Sequence, residues 1–145
     1  MPEIKTTIDI GASPEIVWRV LTHFSSYPKW NPFIREVHGK PEQGERLKVR
    51  LRLSKRRSYR LSPRVIKAIP AMELHWRGKL LFGGLFDGEH SFIIIPNGVM
   101  GVKFIQRERF TGLLVPMLLP FIARKTRQGF ERMNLALKKI AETKS

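Results

Sequence analysis

His90, Gln106 and Glu108 are the residues of this chain best suited to chemistry. Phe86, His90, Phe92 and Ile94 share one face of a strand expected over residues 85–95. Val102, Phe104, Gln106, Glu108 and Phe110 share one face of a second strand over 99–110. Polar side chains on an otherwise apolar face need partners once buried, which a ligand or an ordered water can supply. Pro96-Asn97-Gly98 between the strands reads as a three-residue hairpin loop, proline and asparagine suiting a type I turn and glycine the left-handed position after it. Pairing Ile95 with Val99 then sets His90 opposite Phe104 and diagonal to Gln106. Glu108 falls opposite Phe86, roughly 13 Å along the strand from the His90 level. In that register His90 and Glu108 do not form an acid/base dyad, although a slip of two residues would bring them within diagonal reach.

Other catalytic patterns are missing. The sequence has no glycine-rich phosphate loop after a strand, no His-Glu-x-x-His and no nucleophile elbow. The absence of cysteine excludes disulfides, thiolate catalysis and thiolate metal sites. His23, His38, His75 and His90 lie on separate segments without metal-ligand spacing, and His75 shares an outward face with Arg77 and Lys79. The expectation is therefore no metal, no cofactor and no assigned catalytic residue.

The elements that must position the hairpin begin at the N-terminus. Ile4, Thr6, Ile8 and Ile10 alternate with polar residues, the pattern of a half-buried strand. Ser13 precedes Pro14 and Glu15, a capping residue followed by a proline and a carboxylate suited to the first helical turn. The helix from Pro14 carries Ile16, Val17, Val20, Leu21 and Phe24 as its apolar stripe. It should be short, because Ser25-Ser26-Tyr27-Pro28 is turn chemistry and Pro28 disfavours α geometry at Tyr27. Trp30-Asn31-Pro32-Phe33 returns the chain to extended structure. Strands follow over 35–38, 46–53, 59–69 with an interruption near Pro63, and 72–81 with Leu74, Trp76 and Leu80 on one face. Gly83-Gly84 marks a break before the hairpin. At the other end Ile122, Thr126, Gly129, Phe130, Met133, Leu137 and Ile140 recur at helical spacing. A glycine inside a helix costs about 1 kcal/mol relative to alanine, so Gly129 serves either close helix-on-sheet packing or room for a ligand.

At 145 residues and 42% apolar content, the chain reads as one globular domain spanning 1–145. The N-terminus lacks a signal-peptide core and no apolar run approaches the ~20 residues of a membrane span, so a cytoplasmic location is expected. The net charge of +15 sets up a field that attracts anionic partners. Ten basic residues and no acidic one lie between Glu45 and Glu73, and Lys48, Arg50 and Arg52 alternate with Leu47, Val49, Leu51 and Leu53. The basic run is thus a surface, not a pocket. RNA is the lesser partner for it, since Tyr59 is its only aromatic and base stacking needs more. The apolar segment from Leu113 to Ile122, holding Pro116 and Pro120, reads either as a buried loop closing a cavity or as a shallow membrane insertion. Arg124, Lys125 and Arg127 beside it suit anionic headgroups.

The segments ASPEIVWRVLTHFSSYPKWNPFI, FDGEHSFIIIPNG, RERFTGLL and GFERMNLALKKIAE, taken in order, resemble the START-like superfamily, also called SRPBCC, of polyketide cyclases and lipid-transport proteins. The resemblance spans nearly the whole chain and implies an α+β helix-grip fold: a seven-stranded antiparallel sheet curved around a long C-terminal helix, with two short helices after strand 1. It implies a cavity for a hydrophobic ligand such as a lipid, polyketide or isoprenoid-like molecule. On this sequence the lining would come from Trp76, His90, Phe92, Phe104, Gln106 and Glu108 on the sheet and from Gly129, Phe130 and Met133 on the helix. Each of these also suits an ordinary core. An aromatase or cyclase activity, with His90, Gln106 and Glu108 set over a substrate, is the alternative, as is RNA or ribosome binding through the basic surface.

Overall fold

The structure, a computed structural model, describes residues 2–79 and 83–145. Strand β1 (Glu3–Ile10) leads into helix α1 (Pro14–Thr22), where the Ser13 hydroxyl accepts the Ile16 amide at 3.3 Å as the expected cap. A 3-10 turn (Phe24–Ser26) and α2 (Tyr27–Trp30) follow. Tyr27 takes helical angles in spite of Pro28, against expectation. Its hydroxyl donates to the Leu21 carbonyl, tying α2 back onto α1, and burial pushes its pKa far up so that the donor is kept. The Asn31 side-chain oxygen then accepts the amides of Phe33 and Ile34 at 3.0 and 2.9 Å, turning the chain into β2 (Ile34–His38).

The remaining strands are β3 (Lys48–Ser54), β4 (Arg57–Leu61), β5 (Arg64–Ile69), β6 (Glu73–Lys79), β7 (Asp87–Pro96) and β8 (Val102–Thr111). The expected residues Leu80 and Leu81 of the sixth strand lie outside the described residues. Among the described residues the single seven-stranded sheet is corrected to eight strands in two antiparallel sheets, ordered β1-β8-β7-β6-β5 and β2-β3-β4. The division falls at Ser62-Pro63, where proline has no amide to continue a ladder. One corner still joins the sheets: the Leu47 amide donates to the Pro63 carbonyl and the Val65 amide to the Glu45 carbonyl, both at 2.8 Å.

Helix α3 (Val115–Lys144) packs against β1, β8, β3 and α1. It starts seven residues earlier than the amphipathic pattern begins. Pro116 sits in the first turn, where its missing amide has no intrahelical partner, and Pro120 removes only one bond. The segment before Ile122 is therefore helix and not a buried loop: Val115 is buried, but Leu113, Met117 and Phe121 are 82%, 60% and 81% exposed. Farther along, Thr126, Gly129, Phe130, Met133, Asn134, Leu137 and Ala141 form the buried face. A Cβ on Gly129 would lie 2.3 Å from the Phe33 ring, so this glycine serves close packing, with Phe33 pressed on the helix backbone.

Candidate functional site

The hairpin loop runs over five residues, Asn97 to Gly101, closed by the Asn97 amide donating to the Gly101 carbonyl at 2.9 Å. Pro96 pairs with Val102, so every partner on β8 lies four residues beyond the three-residue expectation. An odd loop of either length leaves the same faces inward. The pairing differs, however: Ile94 meets Phe104, Phe92 meets Gln106, and His90 meets Glu108. His90 Nδ1 lies 2.9 Å from Glu108 Oε1, which overturns the expectation that these two stay apart.

The contact belongs to a longer chain of buried polar groups. His90 Nε2 lies 2.9 Å from Gln106 Oε1, Gln106 Nε2 donates to Asn134 Oδ1 at 2.8 Å, and Asn134 Nδ2 donates to Thr6 Oγ1 at 2.9 Å. The Thr6 hydroxyl donates in turn to the Gln106 backbone carbonyl at 3.2 Å. Gln106, Asn134 and Thr6 are all buried, so these bonds satisfy groups that water cannot reach. The imidazole is packed among Phe92, Phe130 and Trp76, with ring centroids at 4.5, 5.0 and 5.5 Å.

Above this chain lies a cavity of about 120 Å³ between the two sheets and α3. Its walls are mostly apolar. Leu51, Leu53, Tyr59 and Leu61 come from the small sheet, Trp76, Phe86 and Phe110 from the large one, and Phe33 and Ile122 close it from the loop after α2 and from α3. His90, Glu108, Thr126 and Lys79 are its polar wall residues. Of the sequence-derived candidates, Trp76, His90 and Glu108 stand on the wall. Phe92, Phe104, Gln106, Gly129, Phe130 and Met133 do not: they lie in the closed core beneath it, Gln106 occupied by its own hydrogen bonds and Gly129 covered by Phe33.

Among the wall residues that the sequence reading did not name, two glycines shape the site. Gly78 and Gly88 face each other across β6 and β7, and both border the cavity. A Cβ on Gly88 would lie 2.2 Å from Glu108 Oε2, so the missing side chain is what lets the carboxylate reach His90. Glycine within two strand patterns was the available signal, since it marks close approach. The contribution of β3 and β4 was legible only as an inward apolar face.

A second histidine cluster lies on the outer face of the large sheet. Ser91 Oγ lies 2.7 Å from His75 Nδ1, and Glu73 Oε1 lies 3.5 Å from His75 Nε2. The residue types suggest a nucleophile, but Ser91 is 2% exposed and offers no surface to a substrate. Burial lowers the His75 pKa, countered in part by Glu73 and Glu89, so the ring is kept neutral and structural. Among the described residues no group of three His, Cys, Asp or Glu side chains is placed to hold a metal.

An antiparallel sheet system gripping one long helix, with an apolar cavity between them, defines the START-like class of folds. Within it the chain belongs to the polyketide cyclase / dehydrase and lipid transport family, whose pattern matches residues 1–142. No curated protein matches the chain in sequence. A START superfamily protein from Mycobacterium smegmatis superposes with a TM-score of 0.76 at 19% identity, covering 99% of both chains. Norcoclaurine synthase from Thalictrum flavum, in a point mutant bound to a transition-state analogue, gives 0.75 at 15% identity over 99% of this chain and 96% of that one. The di-domain ARO/CYC StfQ of the steffimycin biosynthetic pathway gives 0.75 at 10% identity, over 98% of this chain and 51% of the other. At these identities the likeness is one of fold.

Proposed function

We propose that the protein binds a small hydrophobic molecule in this cavity, with a polar group of the ligand at the His90–Glu108 pair. The observation that carries the reading is an apolar chamber whose wall holds one hydrogen-bonded imidazole–carboxylate pair. The family's description, which joins cyclases with lipid transport, supports the same class of ligand. Native mass spectrometry of the purified protein should show a bound mass that organic extraction releases. An empty protein that also fails to take up an apolar fluorophore would overturn the proposal. A cyclase- or dehydratase-type activity is the second reading, favoured by the 2.9 Å His90–Glu108 contact, because such a pair can exchange a proton with a bound hydroxyl or enol.

In this reading the ligand is exchanged at an anionic membrane surface. No described helix is long and apolar enough to cross a membrane. Met117 and Phe121 nevertheless stand four residues apart on the exposed side of the first turns of α3, with Leu113 exposed just before the helix and Arg124, Lys125 and Arg127 in the next turns. Leu53 and Tyr59, which flank the basic β3–β4 turn, line the same cavity as Ile122, so this cationic turn stands at the same rim. Tyr59 itself turns into the cavity, which leaves the basic surface without a stacking platform and favours lipid over RNA. Flotation with phosphatidylcholine vesicles containing phosphatidylglycerol should carry the protein up at low salt. The effect should fade as salt is added and be lost in the Met117→Asp/Phe121→Asp variant. Equal indifference to neutral and anionic vesicles would remove the membrane from the proposal.

A further inference from the structure

The hydrogen-bond chain beneath the cavity has a fixed direction. Two of its ends are backbone carbonyls, which only accept. The Thr6 hydroxyl is spent on the Gln106 carbonyl, so Thr6 Oγ1 accepts from Asn134 Nδ2, and Asn134 Oδ1 must accept from Gln106. The Phe130 carbonyl, 3.4 Å from Gln106 Nε2, fixes the amide in the same sense. Gln106 Oε1 therefore faces His90 Nε2 and only accepts, so Nε2 carries a proton. With Nε2 committed, a 2.9 Å approach of Nδ1 to Glu108 Oε1 needs one further proton between them. That proton sits on Nδ1, giving an imidazolium and a carboxylate, or on Oε1, giving two neutral groups.

Either arrangement leaves the same group for a ligand. Glu108 Oε2 has no hydrogen-bond partner among the described residues and, with its proton elsewhere, it accepts and does not donate. Gly88 backs it directly, and the Glu108 side chain remains 20% exposed on the cavity wall. The Thr126 and Tyr59 hydroxyls donate and accept equally, so they do not discriminate, while Lys79 is exposed at the rim. We infer that the cavity selects apolar molecules bearing a hydrogen-bond donor, a hydroxyl or phenol, over shape-matched molecules that carry only an acceptor or no polar group. This rests on the cavity being the ligand site, as proposed above.

Three probes of similar shape test it: 2-naphthol, 2-naphthaldehyde and 2-methylnaphthalene, titrated by calorimetry. The expected result is about tenfold tighter binding of the naphthol than of either other probe, the worth of one buried hydrogen bond. Glu108→Met should erase the preference. Glu108→Gln should keep part of it, because its amide nitrogen can donate to Nδ1 while its oxygen still faces the cavity. Comparable affinities for all three, or a preference for the aldehyde, would overturn the inference and leave the ligand site standing. Binding of none would overturn the ligand site itself. Nitrogen-15 NMR of the free protein gives a measure independent of any ligand: His90 Nε2 must show its proton, and an unprotonated Nε2 would refute the inference directly.

Discussion

Gln106→Leu is expected to lower the unfolding free energy by about 3–5 kcal/mol, the cost of leaving two buried groups unsatisfied. The His90 Nε2 proton and the Asn134 Oδ1 acceptor both lose their partner, and neither can reach water, since His90 is 3% and Asn134 2% exposed. The apolar surface that leucine adds offsets only part of this. Because the groups act as one chain, Gln106→Leu combined with Asn134→Leu should cost less than the two single changes added together. Urea unfolding monitored by tryptophan fluorescence reads both quantities. A single-variant loss below about 1 kcal/mol would mean that water enters the chain, and the fixed direction argued for it would not hold. The same change frees the imidazole to rotate away from Glu108, so ligand affinity should fall even at temperatures where the variant remains folded.

How far the sequence reaches can be judged from three places. The cap at Ser13, the stripe of α1 and the buried face of α3 were legible because each depends on residues within one element. The faces of β7 and β8 were legible for the same reason. Their register was not, since parity fixes which side is inward and says nothing about whether the loop holds three residues or five. In the longer loop Ile94 opposes Phe104, Phe92 opposes Gln106 and His90 opposes Glu108, while Val99 and Met100 stand exposed. The chance to pair His90 with Glu108 was therefore a better guide to the register than the Pro-Asn-Gly turn signal. The cavity was the least legible part. It depends on Gly78 meeting Gly88 and on Phe33 covering Gly129, contacts between segments that no local pattern announces. The strand break at Pro63 was visible, but the conclusion that it divides one sheet into two requires the hydrogen bonds on either side.

Phe33→Ala is expected to cost about 3–5 kcal/mol, the usual range for removing a buried ring, and to reverse the meaning of Gly129. Phe33 is 2% exposed, packs edge-on against Phe130 at 5.6 Å and borders the cavity. In the parent protein Gly129→Ala forces a Cβ to within 2.3 Å of that ring, and the clash should destabilise by about 1–2 kcal/mol even after the gain in helix propensity. Once the ring is gone, the three atoms nearest to that Cβ are gone with it. Gly129→Ala should then stabilise the Phe33→Ala background by about 0.5–1 kcal/mol, the propensity difference between the two residues. The sign change amounts to a coupling of roughly 1.5–3 kcal/mol in a double-mutant cycle. The same destabilisation in both backgrounds would show that Gly129 is set by something other than Phe33. The truncation also opens the cavity toward the helix, so ligands too bulky for the parent should raise the melting temperature of Phe33→Ala more than that of the parent. Phe33 would then hold two quantities together, giving up ligand volume for the contact that seats α3 on the fold.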